Sequence, residues 1–174
     1  LSSSSAASDV YKRQVLYQPE IPANTGNIAR TCAGTLTHLH LIKPLGFSTE
    51  DKMLKRAGLD YWEHVNITYH DSIEEFFANT EGHYYLLTKF GKQTYSDFNF
   101  SNTNEDYYFI FGKETTGLPE WVKEKYAKTA LRIPMSDNIR SLNLSNTAAL
   151  LIYEALRQQD LSLIHISEPT RPER

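Results

Sequence analysis

The sequence holds a single cysteine, Cys32, in 174 residues. That excludes an intrachain disulfide and a Cys-rich zinc site, and it fits a reducing, cytoplasmic compartment. Positive charge is not in excess either, since 18 basic against 21 acidic residues leave a net charge of −3. A chain with that balance binds nucleic acid only through a local basic patch or a surface doubled by a second copy. No apolar run reaches membrane-spanning length and no charged start leads into an apolar stretch, so neither a membrane span nor a secretory signal is expected. Internal repeats and interdomain linkers are missing too. His38, His40, His64, His70 and His83 lack ligand spacing and read as surface or core histidines, so no metal is expected.

The two ends are unlike the rest. Residues 1–8 are almost all Ser and Ala after Leu1. Asp9-Val10-Tyr11-Lys12-Arg13-Gln14 can be coded as GAT GTG TAT AAG AGA CAG. The reverse complement, CTG TCT CTT ATA CAC ATC, encodes Leu161-Ser162-Leu163-Ile164-His165-Ile166 residue for residue. Both segments resemble translated transposase-type sequencing adapters. Residues 1–14 and 161–174 are therefore expected to be non-native read-through, leaving one domain over 15–160 with a net charge of −4.

Apolar runs alternate with helical patterns along that domain. Val15-Leu16-Tyr17 reads as a buried first strand ended by Pro19 and Pro22. Asn24 is placed to cap a helix over about 25–33 that Gly34 stops. Strands are expected at 39–42, 65–69, 84–88, 107–111 and 131–133. Helices are expected from about 49 to 57, from the Asp71 cap to 77, from Pro119 to about 126, and over 144–157. Residues 91–106 read as a surface loop. Continuous apolar runs such as Tyr107-Tyr108-Phe109-Ile110-Phe111 suit strands buried on both faces, so the class is α/β with a parallel sheet flanked by helices.

Three segments put Gly, Asn or Pro beside charged or hydroxyl residues near the ends of such runs. They are Asn24-Thr25-Gly26-Asn27-Ile28-Ala29-Arg30, Phe111-Gly112-Lys113-Glu114-Thr115-Thr116-Gly117-Leu118-Pro119, and Ile133-Pro134-Met135 with Arg140-Ser141-Leu142-Asn143-Leu144-Ser145. In parallel sheets, strand ends of this kind carry ligand loops. Taken alone, each segment also has a plain structural explanation: a capped helix with an exposed arginine, a strand followed by a glycine turn, and helix capping by Ser141 or Asn143. Lys52, Lys55 and Arg56 form a basic cluster that is either a solvated helix face or, beside an RNA site, a phosphate contact.

Together the segments resemble the three motifs of the SPOUT superfamily of RNA methyltransferases. Leu16-Tyr17-Gln18-Pro19-Glu20-Ile21-Pro22 and Arg56-Ala57-Gly58-Leu59-Asp60-Tyr61-Trp62 bring the resemblance closer to the TrmL-type tRNA 2′-O-methyltransferases of the wobble nucleotide, C34 or U34. It spans Val15 to Gln159. The resemblance implies a C-terminal deep trefoil knot, S-adenosylmethionine as cofactor, a homodimer, and the tRNA anticodon stem-loop as partner. It implies Arg30 as the catalytic arginine and Leu87, Gly112, Ile133, Ser141 and Leu142 as donor contacts. It also brings Lys55, Arg56 and Tyr153 towards RNA. An arginine stays protonated in proteins, so Arg30 is expected to orient and stabilise rather than take a proton. Alternatives are a non-catalytic RNA-binding protein of this fold, a methyltransferase for another RNA position, and a flavodoxin-like nucleotide binder. The last needs a phosphate loop where Pro19 and Pro22 stand.

Overall fold

The structure, a computed structural model, describes residues 12–58 and 61–160. Of the expected foreign segments 1–14 and 161–174, residues 1–11 and 161–174 lie outside the described residues, as do Leu59 and Asp60. Seven parallel strands form one sheet in the order β3-β2-β1-β6-β4-β7-β5. They are β1 Lys12–Tyr17, β2 His38–Ile42, β3 Ile67–His70, β4 His83–Leu87, β5 Gln93–Thr94, β6 Tyr107–Phe111 and β7 Ala130–Arg132. The helices are α1 Pro22–Thr35, α2 Lys52–Gly58, α3 Ile73–Asn79, α4 Glu120–Lys125 and α5 Leu144–Gln158.

Both faces of the sheet are covered, which is why its central strands are apolar without interruption. Alternate residues of β1 and β6 serve opposite cores. Leu16, Phe109 and Phe111 pack with Ile28 of α1 and Leu151 and Ile152 of α5. Val15, Tyr108 and Ile110 pack with Phe76 of α3 and Val122 of α4. The amphipathic α5 turns Thr147, Ala148, Leu151, Ile152, Ala155 and Leu156 inward.

Several boundaries differ from expectation for identifiable reasons. Helix α1 begins at Pro22, whose fixed φ suits the first helical position, and Asn24 lies inside its first turn instead of capping it. The helix runs through Gly34 to Thr35 and stops at Leu36, held in the left-handed conformation at φ 53°. Ser72, not Asp71, caps α3, accepting from the Glu75 N–H at 3.0 Å. The expected loop at 91–106 holds β5 and a fully buried Phe100. Gln158, the last residue of α5, and Gln159, which follows it, satisfy the backbone of Phe100, through its N–H at 2.6 Å and its C=O at 2.7 Å.

Strand β1 begins three residues before Val15. Gln14 pairs with Leu39 on one side and Phe109 on the other and is fully buried. Its Nε2 donates to the Phe109 carbonyl at 3.1 Å, but among the described residues its Oε1 has no hydrogen-bond partner. Burying an amide oxygen unpaired costs about 1–3 kcal/mol. Gln14→Ile is expected to stabilise the fold, raising the melting temperature by about 2–4 °C for each kcal/mol recovered. A lower melting temperature in thermal unfolding contradicts this.

Three histidines dispersed in sequence meet on the sheet. The His38 and His40 rings stack at 4.6 Å, and His40 Nδ1 lies 2.9 Å from His70 Nε2. Burial, then the Arg13 and His70 charges, lower the His38 pKa from 6.5 to about 4. Burial also lowers those of His40 and His70. As pH falls below about 6.5 the unfolded chain takes up protons that the folded one refuses, so stability drops. Glu20, Glu50 and Glu154 have pKa values pushed below the usual 4.5 and contribute only at still lower pH. Urea unfolding is expected to show lower stability at pH 5 than at pH 7, and equal stability contradicts the assignment.

Candidate functional site

In a parallel sheet every strand's carboxyl end faces one side, and ligand crevices open where connections diverge. Here β1 lies beside β2 on one flank and β6 on the other, and the loops after β1, β4, β6 and β7 converge at that end. They surround a cavity of about 850 Å³, within the range of small-molecule sites.

The β6 loop is shaped by two close approaches. Lys113 and Gly117 exchange backbone hydrogen bonds at 3.2 and 3.0 Å, folding the loop back on itself. A Cβ on Gly112 would stand 2.3 Å from the Gly117 carbonyl carbon, so only glycine fits.

Glu114 ties this loop to its neighbours. Its Oε1 accepts the Glu20 N–H at 2.8 Å, and its Oε2 accepts the Ile21 N–H at 3.1 Å and the Asn24 side-chain amide at 3.3 Å. Glu20 reciprocates, accepting from the Thr115 N–H at 3.1 Å and hydroxyl at 2.8 Å. Those bonds hold the Glu20 carboxyl below the usual carboxylate range. Asn24 Oδ1 in turn accepts from Asn143 Nδ2 at 3.2 Å. Asn143 Oδ1 caps α5 through the Ser145 and Asn146 N–H groups, at 2.9 and 3.3 Å. One connected network therefore links the three sequence segments.

Leu87, Gly112, Ile133, Ser141 and Leu142 all line the cavity. Arg30 does not. It lies on α1 six residues beyond Asn24, about 9 Å along the axis, exposed, with its guanidinium 4.9 Å from the Tyr61 ring centroid. Helix α2 packs along α1, which puts Lys55 and Arg56, both exposed, on the helix next to the one carrying Arg30. Lys55 pairs with Glu50 at 2.6 Å. Tyr153 is half exposed on the outer side of α5, away from the cavity lining. Among the described residues no group of three or more His, Cys, Asp or Glu side chains is arranged to hold a metal, and no helix is long and apolar enough to cross a membrane.

A family model for the SpoU rRNA methylases matches residues 13–153. The chain belongs to the SpoU rRNA methylase family. A relative from Listeria monocytogenes serotype 4b, named "Putative tRNA (cytidine(34)-2'-O)-methyltransferase", is 65% identical over 89% of this chain and 92% of its own length. A crystal structure of a "putative RNA methyltransferase" from Bacillus anthracis shares 63% identity at a TM-score of 0.83, covering 89% of this chain and 98% of that one. A solved structure described as giving insight into 2-OH methylation of C/U34 on tRNA is 42% identical at a TM-score of 0.79, covering 86% and 96%.

In this SpoU family chain the sequence reading missed the roles of Glu20 and Asn24. Both stand in segments singled out from the sequence, but their partners are 90 or more residues away. It also missed Phe90, on the cavity rim. Glu114→Gln replaces one acceptor oxygen with an NH2 group facing N–H donors. Because the Ile21 amide is exposed, the loss is expected at the lower end of the range, about 1 kcal/mol. Amide exchange at Glu20 and Ile21 is expected to accelerate. Unchanged exchange at both positions contradicts the network's role.

Proposed function

We propose that this chain transfers the methyl group of S-adenosylmethionine to the ribose 2′-hydroxyl of the wobble nucleotide, C34 or U34, of tRNA, and that it works as a homodimer with the trefoil knot of its family. The observation that carries the reading is the convergence of four strand-end loops on one cavity, three of them locked together by Glu114, Asn24 and Asn143. The names of the relatives supply the substrate. Read-through from flanking DNA is part of the reading for residues 1–14 and 161–174. The polar Lys12 and Gln14, buried where the sheet favours apolar residues, support it at the amino end.

The residues present fit the donor. The cavity has room for it, Gly112 and its loop line it with main-chain groups, and Leu87 and Ile133 give apolar walls. Leu87, Gly112, Ile133, Ser141 and Leu142 would hold it. S-adenosylmethionine supplies, when bound, an electrophilic methyl group whose departure leaves a neutral thioether, so no charged leaving group asks for stabilisation. What the chain contributes is positioning and fixed dipoles. Arg30, steadied by Tyr61, offers a two-pronged guanidinium that holds an RNA phosphate or ribose oxygen and fixes the 2′-hydroxyl in line. Exposed Leu36 at the end of α1 and Tyr153 on α5 are apolar surface that a second copy would cover.

Arg30→Lys keeps the charge and loses the fork. It is expected to slow methyl transfer by about 10²-fold while leaving donor affinity by calorimetry unchanged. Near-full turnover of this variant contradicts the orienting role. The family description favours one further reading, an rRNA nucleotide as acceptor. Mapping 2′-O-methyl groups on tRNA and rRNA after incubation with enzyme and donor separates the two, and modification of rRNA alone overturns the proposal.

A further inference from the structure

Phe90 is the most exposed large hydrophobic residue among those described, at 82%. It stands on the rim of the cavity and, among the described residues, has no ring contact with another side chain. A loosely held loop does not explain the exposure, because the backbone on both sides is fixed. The Thr88 N–H donates to the Leu131 carbonyl at 3.1 Å, and the Phe90 N–H donates to the Thr88 hydroxyl at 3.2 Å. The buried Gly91 lies so close to β7 that a Cβ there would meet the Leu131 carbonyl carbon at 2.7 Å. The turn thus holds an aromatic ring out into water.

The neighbours of the ring are cationic. Lys89 and Lys92 flank it in sequence, both exposed. Among the described residues neither is in an ion pair, which leaves both charges open to a ligand. A fixed, solvent-facing ring between unpaired lysines is the arrangement by which proteins take up single-stranded nucleic acid: a base stacks on the ring and the cations meet the backbone.

We propose that Phe90 is a stacking platform for an unpaired base of the RNA substrate next to the target nucleotide, with Lys89 and Lys92 on the flanking phosphates. The proposal rests on the RNA-methylating function and adds a substrate-positioning residue to it. A base fits better than the adenine of the donor, because a ligand held within the cavity leaves most of an outward ring uncovered. Phe90 acts on RNA affinity and takes no part in the chemistry at the methyl group.

The test uses the full chain and an unmodified tRNA anticodon stem-loop, with binding read by fluorescence anisotropy and methylation by steady-state kinetics. Stacking on one ring is worth about 1–3 kcal/mol, so Phe90→Ala is expected to raise the RNA Kd and KM about 5- to 150-fold. Its kcat is expected to change far less, with donor affinity and melting temperature unaltered. Phe90→Trp keeps the wild-type affinity, and Phe90→Leu stays as weak as Phe90→Ala, which separates stacking from apolar cover. Lys89→Gln with Lys92→Gln lowers the log–log salt slope of binding by about 0.7 per lysine. Unchanged RNA affinity in Phe90→Ala, full rescue by leucine, or a matching loss of donor affinity each overturns the proposal. A wild-type chain that binds no RNA overturns the parent function as well. One that binds and methylates while Phe90→Ala is indifferent overturns this inference alone.

Discussion

The carboxylate of Glu114 is the constraint on which the site depends. The first turn of a helix leaves N–H groups without intrahelical partners, and most helices meet them with a local side chain. Helix α1 has Ile21 at its N-cap, with no acceptor to offer. Glu114, from a loop more than 90 residues later, instead holds the chain just ahead of the helix, taking the Glu20 and Ile21 amides and the Asn24 side chain. A negative charge is also favourable at that end of the helix dipole. One residue therefore fixes the chain entering α1 and how the β6 loop meets the β1 loop. Asn24 passes the constraint to Asn143, which is itself the cap of α5. Placement of two helices and shape of the cavity are one problem with one solution.

The features legible in the sequence were those that report on local or near-local physics. Uninterrupted apolar runs marked the strands because both faces of the sheet are buried. Gly112 marked a close approach that only glycine fits, and Gly117 a left-handed turn position that favours it. Asn24 misled because capping preference is a local statistic, and its side chain is engaged by a carboxylate far along the chain. Gly34 misled because the helix runs one residue past it, to a buried Thr35 whose hydroxyl bonds back to the Thr31 carbonyl one turn earlier at 2.7 Å. The segment before β6 looked polar, yet Phe100 sinks fully into the core because two glutamines at the end of α5 and just beyond it satisfy its backbone. Neither the apolar count nor the periodicity of that segment carries this information.

Charge is arranged economically around the site. The chain is acidic overall, but Lys89 and Lys92 beside Phe90 stand outside any ion pair among the described residues, and Arg30 lies over Tyr61 on the outside of α1. Arg30 is fixed to the same helix as Asn24, so its position is set by the network although it touches none of it. A rigid helix carries the constraint across about 9 Å without any intervening side-chain relay. Tyr61 belongs to a segment that the sequence marked as characteristic but gave no task, and supporting that guanidinium is the task the structure supplies.

The all-parallel arrangement has a consequence for synthesis. The interior strand β1 emerges before every other described element, yet one of its two neighbours, β6, lies 95 positions later, as the contact between Gln14 and Phe109 measures. At roughly 5–20 residues per second, β1 waits about 5–20 s for that neighbour. During this interval β1 to β3 can pair with one another, but one flank of β1 remains a row of unclaimed amides and carbonyls. Such a flank is a template for the wrong strand, including that of another nascent chain on the same message. The geometry that gathers four loops at one end of the sheet leaves its middle seam to be closed late.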